Sequence, residues 1–148
     1  MNVLMVCLGN ICRSPLAHGI LESKAPEDWY IDSAGTSGWH EGERPDTRSI
    51  ITAKGRGLNI DQQRSRPFLA EDFERFDVIF AMDSSNYTNI TRLAPDEASK
   101  AKVRLIMNEA YPGENRQVPD PYTGGQRGFE EVYDMLDLAI DKFLEQHS

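Results

Sequence analysis

The chain contains little cysteine, less positive than negative charge, and no long apolar segment. Its 148 residues include two cysteines and three histidines, and 24 acidic residues against 16 basic ones give a formal charge of −8. No histidine stands at metal-ligand spacing from a cysteine, which argues against a zinc site. The excess of acidic residues argues against broad binding to nucleic acid or to an anionic membrane.

The sequence also lacks the patterns that direct a chain to or across a membrane. No apolar run reaches the length of about 18 residues that a membrane-spanning helix needs. The first residues, Met1 to Val3, lack the charged and apolar regions of a signal peptide. We therefore expect a single domain over residues 1–148 that is located in the cytoplasm and does not insert into a membrane.

Both cysteines lie in one short loop between a predicted strand and a predicted helix. An apolar run at residues 3–6 indicates a buried strand. The pair Ser14-Pro15 is typical of a helix start, with Ser14 as N-cap and Pro15 at the first helical position. Open α/β sheets bind ligands at such loops, and the amides of a helix N-terminus favour an anion. The pattern predicts a phosphate-binding loop after the first strand.

Cys7 opens this loop and Arg13 closes it, with five residues between them. Gly9 and Asn10 tolerate the left-handed backbone that a tight curl needs, so the loop amides can point inward. The Arg13 guanidinium can bind two phosphate oxygens at once. A cysteine near a cation and a helix N-terminus favours its thiolate form, which predicts that Cys7 is a nucleophile. A small buried apolar residue is the alternative role for such a cysteine.

Strand and helix patterns alternate along the rest of the chain, which predicts an α/β fold with a parallel sheet. The expected strands cover residues 2–7, 29–33, 77–82 and 103–107, and the expected helices cover residues 14–24, 46–54, 70–75, 83–93 and 126–146. The last helix places apolar side chains on one face, namely Phe129, Val132, Tyr133, Leu136, Ile140 and Phe143. Loops that follow the strands are expected to meet at one edge of the sheet.

Four stretches of the sequence carry a resemblance to a known family. They are Val6-Cys7-Leu8-Gly9-Asn10-Ile11-Cys12-Arg13-Ser14-Pro15, Asp32-Ser33-Ala34-Gly35-Thr36 with Trp39, Phe76-Asp77-Val78-Ile79-Phe80-Ala81-Met82-Asp83 with Asn86, and Val118-Pro119-Asp120-Pro121-Tyr122. Over its whole length the chain resembles the low-molecular-weight protein tyrosine phosphatases, including bacterial members. The first motif is highly specific, and Asp-Pro-Tyr stands in the expected place.

The resemblance implies a three-layer α/β sandwich with a four-stranded parallel sheet flanked by helices. It also implies hydrolysis of phosphotyrosine through a cysteinyl-phosphate intermediate, with no metal or other cofactor. Cys7 would be the nucleophile, Arg13 the phosphate clamp, and Asp120 the general acid that later activates water. The amides of the loop would bind phosphate, and Ser14 would support the sulfur. The remaining loop residues are Leu8, Gly9, Asn10, Ile11 and Cys12.

The resemblance assigns supporting roles to further residues. Trp39 and Tyr122 would wall a slot for a phenyl ring. Thr123 replaces a second tyrosine that many relatives carry, which thins one rim of that slot. Asn10 would lock the curl of the loop through its side-chain amide. Ser33, Asp83 and Asn86 would brace the loop from behind, although each could equally be a cap or a turn residue. We expect His18 to be a surface residue.

The substrate would be a phosphotyrosine-containing protein, with inorganic phosphate as product. By analogy with bacterial relatives, that protein is an autophosphorylated tyrosine kinase of polysaccharide export. One alternative is an arsenate reductase on the same scaffold, but such enzymes use further cysteines late in the chain, and none follows Cys12. A second is a non-catalytic phosphotyrosine-binding module. Cys12 could form a reversible disulfide with Cys7 or simply fill space.

Overall fold

Four parallel strands form the central sheet in the order β2-β1-β3-β4 in this computed structural model, which describes residues 1–147. The strands are β1 (Asn2–Cys7), β2 (Tyr30–Gly35), β3 (Val78–Ala81) and β4 (Val103–Leu105). The helices are α1 (Arg13–Lys24), α2 (Thr47–Gly55), α3 (Asp72–Arg75), α4 (Ser84–Thr91), α5 (Glu97–Lys100) and α6 (Gln126–Glu145). None of the described helices is long and apolar enough to cross a membrane.

Strand β1 is central because both of its faces are apolar. Residues 3–6 are fully buried, and the strand pairs with β2 on one side and β3 on the other. This register places Cys7 opposite Gly35 and Val6 opposite Ala81. The carboxyl ends of the three strands therefore meet at one edge of the sheet, as parallel strands with right-handed crossovers require.

Helices cover both faces of the sheet, which confirms the predicted three-layer α/β sandwich. On one face, Val3 and Met5 pack with apolar side chains of α1 and α6. On the other face, Leu4 and Val6 pack in a second cluster with Phe73 of α3 and with other apolar side chains. The predicted apolar face of the last helix is confirmed, since all six of its residues are buried.

Most element boundaries differ from the sequence predictions by one or two residues, and the short helix α5 was not predicted. Helix α1 begins at Arg13, so Cys12 is its N-cap residue and Ser14 lies inside the first turn. The prediction that Ser14 caps the helix is wrong, because its hydroxyl contacts the Cys7 sulfur instead. Strand β4 ends at Leu105, and the chain continues as a 3₁₀ turn over Ile106–Glu109 rather than as a strand to residue 107.

Candidate active site

The loop from Cys7 to Arg13 is curled because its carbonyl groups are held from outside. The carbonyls of Cys7 and Leu8 accept hydrogen bonds of 2.9 Å from the amides of Thr36 and Ser37, respectively. The Gly9 carbonyl accepts from Ser65 Oγ at 3.0 Å. The Ile11 carbonyl accepts from the Asp46 amide at 2.8 Å, and the Cys12 carbonyl accepts from Ser49 Oγ at 3.1 Å.

This outward belt of carbonyls fixes where the loop amides point. In a planar trans peptide the N–H is directed opposite to the C=O, so an outward carbonyl turns the next amide inward. Asn10 makes the curl with a left-handed backbone, at φ 56°. Gly35 lies so close that a Cβ there would be 2.8 Å from the Leu8 carbonyl oxygen. The result is a concave ring of N–H donors, which suits an anion.

A relay of hydrogen bonds reaches the Cys7 sulfur. The Arg66 amide donates to Asn10 Oδ1 at 3.0 Å, which fixes the side-chain amide so that Nδ2 donates to Ser14 Oγ at 2.8 Å. Ser14 Oγ lies 3.1 Å from Cys7 Sγ. Because the Ser14 oxygen already accepts from Asn10, its own proton is free to point at the sulfur. A donor in this position stabilises a thiolate.

Arg13 is 2% exposed and lies at the other end of the loop. Its Nη1 donates to Asp83 Oδ2 at 2.7 Å and to the Val118 carbonyl at 2.9 Å. Its Nε is buried and has no hydrogen-bond partner in the part of the chain that the structure describes, and its Nη2 lies 3.9 Å from Asp120 Oδ2. Two donors of a locked guanidinium thus stay available to a ligand.

The surroundings of Arg13 stabilise its positive charge. Burial opposes that charge, but the negative charges of Cys7, Asp83 and Asp120 outweigh burial and place the pKa of Arg13 above its ordinary value. Sulfur, guanidinium and amide ring together form an electrostatic site for one tetrahedral anion.

The residues expected to brace the loop take different positions. Asp83 reaches Arg13 and also caps α4 by accepting from the Asn86 amide at 2.8 Å. Asn86 is buried, and its Oδ1 lacks a hydrogen-bond partner among the described residues. The Ser33 hydroxyl lies 3.2 Å from His18 Nδ1, so this hydroxyl contacts α1. The expectation that His18 is a surface residue is wrong, because it is only 9% exposed.

Above the loop lies a cavity of about 180 Å³ whose lining includes Cys7, Arg13, Trp39, Asp120 and Tyr122. Trp39 is 80% exposed and Tyr122 is 50% exposed, so these rings stand at the mouth rather than in the core. A slot with aromatic rings at its rim fits a flat ring attached to the bound anion.

Asp120 also lines this cavity, and it lies in a loop between Pro119 and Pro121. Its Oδ1 accepts the Tyr122 amide at 3.0 Å, which closes a small turn around the carboxylate. The side chain is 44% exposed. Proline rings on both sides restrict the backbone of this turn.

Cys12 has a different environment from Cys7, although both are free thiols in the lining of the cavity. Burial, followed by the negative charges of Cys7, Asp46 and Asp120, raises the pKa of the Cys12 thiol. Cys12 therefore favours its neutral thiol form in the lining of the cavity that it shares with Cys7.

Sequence reasoning missed several residues that shape the site. His40 lines the cavity and stands against Gly9. The Val118 carbonyl holds Arg13, the Arg66 amide holds Asn10, and Arg48 lies between the two loops of the site. No local pattern marks these residues, because each contact joins segments that are distant in sequence. Within residues 1–147 no group of three or more histidine, cysteine, aspartate or glutamate side chains is arranged to hold a metal ion.

Comparison with known proteins agrees with this geometry. The sequence model of the family described as low molecular weight phosphotyrosine protein phosphatase matches residues 2–147. A low molecular weight phosphotyrosine protein phosphatase of Schizosaccharomyces pombe is 44% identical over 97% of this chain and 95% of its own length. A low molecular weight protein-tyrosine-phosphatase of Streptomyces coelicolor is 40% identical over 93% of this chain and 88% of its own.

Solved structures are similar over the whole fold. A protein tyrosine phosphatase of Entamoeba histolytica with Hepes in its active site has a TM-score of 0.92 and 39% identity over 99% of this chain and 96% of that one. A structure described as DARP, a Drosophila arginine phosphatase, has a TM-score of 0.91 and is 34% identical over 100% of this chain and 98% of its own. The tyrosine phosphatase Wzb of Escherichia coli K30, in complex with sulphate, has a TM-score of 0.87 and is 29% identical over 99% of this chain and 98% of its own. This chain belongs to the low molecular weight phosphotyrosine protein phosphatases.

Proposed function

We propose that Cys7, Arg13 and Asp120 carry out the hydrolysis of phosphotyrosine in two steps. The single observation that carries this proposal is the arrangement around Arg13. A buried guanidinium, whose Nε has no hydrogen-bond partner within residues 1–147, closes a ring of inward amides that begins at a cysteine sulfur. Such an arrangement stabilises the charge of a phosphoryl group while the sulfur attacks it.

In the first step the Cys7 thiolate attacks phosphorus, and the bond from phosphorus to the phenolic oxygen breaks. Arg13 and the loop amides hold the three other oxygens. Asp120 gives its proton to the departing oxygen, because a tyrosyl anion is a poor leaving group. The products are cysteinyl-phosphate, the substrate protein with its tyrosine side chain dephosphorylated, and the Asp120 carboxylate.

In the second step a water molecule attacks the same phosphorus atom, and the bond to sulfur breaks. The Asp120 carboxylate takes a proton from that water, so it returns to its acid form. Inorganic phosphate leaves, and the Cys7 thiolate is restored with the Ser14 hydroxyl beside it. Each group ends in its starting state, as a catalytic cycle requires.

The test is hydrolysis of p-nitrophenyl phosphate in the presence of EDTA. Wild type should turn over, and Cys7→Ser should lose at least about 10³-fold of the activity, since the serine hydroxyl is a far weaker nucleophile at neutral pH. Turnover by Cys7→Ser at the wild-type rate would contradict the proposal, as would no turnover by wild type, which would favour a binding module.

The substrate is proposed to be phosphotyrosine rather than phosphoarginine. Aromatic side chains at the mouth, Trp39 and Tyr122, provide apolar faces for a phenyl ring. The similarity to an arginine phosphatase makes the comparison necessary. With matched peptides, kcat/KM should be higher for the phosphotyrosine peptide, and a higher value for the phosphoarginine peptide would reverse the assignment. Arsenate reduction by the purified chain, with thiol as reductant, should be absent.

We further propose that the partner is an autophosphorylated tyrosine kinase of polysaccharide export, in the cytoplasm, where thiols stay reduced. The similarity to bacterial tyrosine phosphatases supports this. Cys7→Ser should retain such a kinase from a lysate of the source cells, identified by mass spectrometry, and phosphate should elute it. Retention of an unrelated phosphoprotein in its place would contradict the assignment.

A further inference from the structure

Arg48, in the first turn of α2, joins the two loops that form the cavity. On the side of the phosphate-binding loop its partner is Asp46, the N-cap of α2. Asp46 Oδ1 accepts from Arg48 Nε at 3.0 Å, and Asp46 Oδ2 accepts from Nη2 at 3.0 Å. The amide of Asp46 donates to the Ile11 carbonyl at 2.8 Å. The guanidinium is therefore clamped in two places to a residue that is itself bonded to the loop.

On the opposite side Arg48 contacts the segment that carries Asp120. Its Nη1 donates to the Gly124 carbonyl at 2.9 Å. Its guanidinium lies 5.5 Å from the centre of the Tyr122 ring and 4.5 Å from that of Phe129. Phe129 is fully buried in a cluster with Ile11 and Cys12, so the stack rests on the phosphate-binding loop as well.

The segment 119–124 has few other attachments. Its hydrogen bonds from the Tyr122 amide to Asp120 and from the Gly124 amide to Pro121 are internal. The hydrogen bond that ties it to another part of residues 1–147 is the one from Arg48. The long ion pair between Arg13 and Asp120 is 3.9 Å. Pro121 is the one buried residue of this segment, and the other five residues are exposed, so burial holds the segment only at Pro121.

We propose that Arg48 is a positioning residue, which places the Asp120 carboxyl over the Cys7 sulfur by fixing segment 119–124 to the phosphate-binding loop. The proposal deepens the function proposed above and depends on the role of Asp120 as proton donor. Proton transfer requires hydrogen-bond distance to the departing oxygen, and a misplacement of about 1 Å can cost about a hundredfold in rate.

The test uses kcat/KM for two substrates that differ in their need for a proton. Phenyl phosphate has a basic leaving group, whereas p-nitrophenyl phosphate has an activated one. Arg48→Ala should lower kcat/KM about tenfold to a hundredfold for phenyl phosphate and by a factor of about three or less for p-nitrophenyl phosphate. The inhibition constant of inorganic phosphate should stay within about twofold, because the loop amides and Arg13 are unchanged.

A double variant separates this effect from general damage. In the Asp120→Asn background, where no proton can be given, Arg48→Ala should cause no further selective loss with phenyl phosphate. A further loss of the single-variant size, or an equal loss with both substrates, would overturn the proposal for Arg48. If Asp120→Asn itself shows no preference for the activated substrate, the role of Asp120 fails, and that of Arg48 fails with it.

Arg56 offers a matched control on the same side of the molecule. It too lies over an aromatic ring of α6, 4.4 Å from the centre of Tyr133, and it pairs with Glu130 and Asp134. Arg56→Ala should leave both kcat/KM values unchanged. Should Arg48→Ala fold poorly, Arg48→Lys is the alternative, because it keeps the positive charge and the aliphatic part of the side chain but not the planar guanidinium. It should show the same selective loss of kcat/KM with phenyl phosphate. Wild-type kinetics in Arg48→Lys would show that charge alone suffices and would contradict positioning by the fork.

Discussion

Asn10 fixes the shape of the loop and the environment of the sulfur with one side chain. Its backbone is left-handed, and its amide connects the Arg66 backbone to Ser14, which lies beside Cys7. Asparagine tolerates this backbone better than most residues do, and its side chain supplies one acceptor and one donor at once.

We expect Asn10→Ala to lower both kcat and stability. Two hydrogen bonds are lost in a buried site, which should reduce the free energy of unfolding by about 1–3 kcal/mol in a urea titration. Asn115→Ala is the control, because Asn115 has the same backbone region at φ 54° and pairs with Asn108, but it is exposed. That variant should keep full activity. Equal loss of activity in both variants would contradict the role given to Asn10.

The neutral thiol of Cys12 leads to a second prediction at this scale. Peroxide should oxidise the Cys7 thiolate to a sulfenic acid, and Cys12 should then form a disulfide with release of water. A thiol reductant should restore activity in oxidised wild type but not in Cys12→Ser, whose Cys7 goes on to irreversible forms. Equal recovery in both proteins, measured as p-nitrophenyl phosphate turnover, would leave Cys12 as a packing residue.

At the scale of elements, the start of α4 contributes to the site as well as to the fold. Asp83 caps this helix with one carboxylate oxygen and holds Arg13 with the other. The end of β3 is adjacent to that of β1, so Asp83, two residues after β3, falls within reach of Arg13. This explains why a helix cap can also orient the guanidinium of Arg13.

We expect Asp83→Ala to reduce the free energy of unfolding by about 2–4 kcal/mol, since it removes a cap and the partner of a buried cation. Asp96→Ala is the matched control, because Asp96 caps α5 by accepting from the Ser99 amide at 2.7 Å. Asp96→Ala should reduce the free energy of unfolding by only about 1 kcal/mol. Denaturant titrations that give equal losses would show that Asp83 acts as a cap alone.

The elements predicted from sequence are those whose signals are local. The first strand, the loop and the first helix are contiguous, so their order alone predicted an anion site. The position of Ser14 was misjudged because a contact with Cys7, seven residues away, determines what its hydroxyl does. His18 was misjudged because its partner, Ser33, lies on another element. The link made by Arg48 spans 76 residues and has no local signal.

At the scale of the molecule, an acidic protein carries a site for an anion. The formal charge is −8, yet Arg13 and the residues of the amide ring line the cavity and would contact an anion bound there. Salt screens charges beyond about 10 Å, so the near groups dominate. The assignment of Asp120 depended on the family resemblance, because composition cannot single out one acid among 24.

Inorganic phosphate should therefore stabilise the whole protein. A ligand at one hundred times its dissociation constant adds about 2.7 kcal/mol, which calorimetry would detect as a rise in Tm. The rise should be much smaller in Arg13→Lys, which lacks the planar fork, when ionic strength is matched with chloride. An equal rise in both proteins would place the bound phosphate outside the loop.

The outward carbonyls of the loop have a consequence for how the molecule reaches its native state. They are held by residues 36–37, 46–49 and 65, which come from three separate parts of the chain. The ring can close only after all three parts have docked. During refolding, the binding of phosphate should consequently return later than the helical signal in circular dichroism.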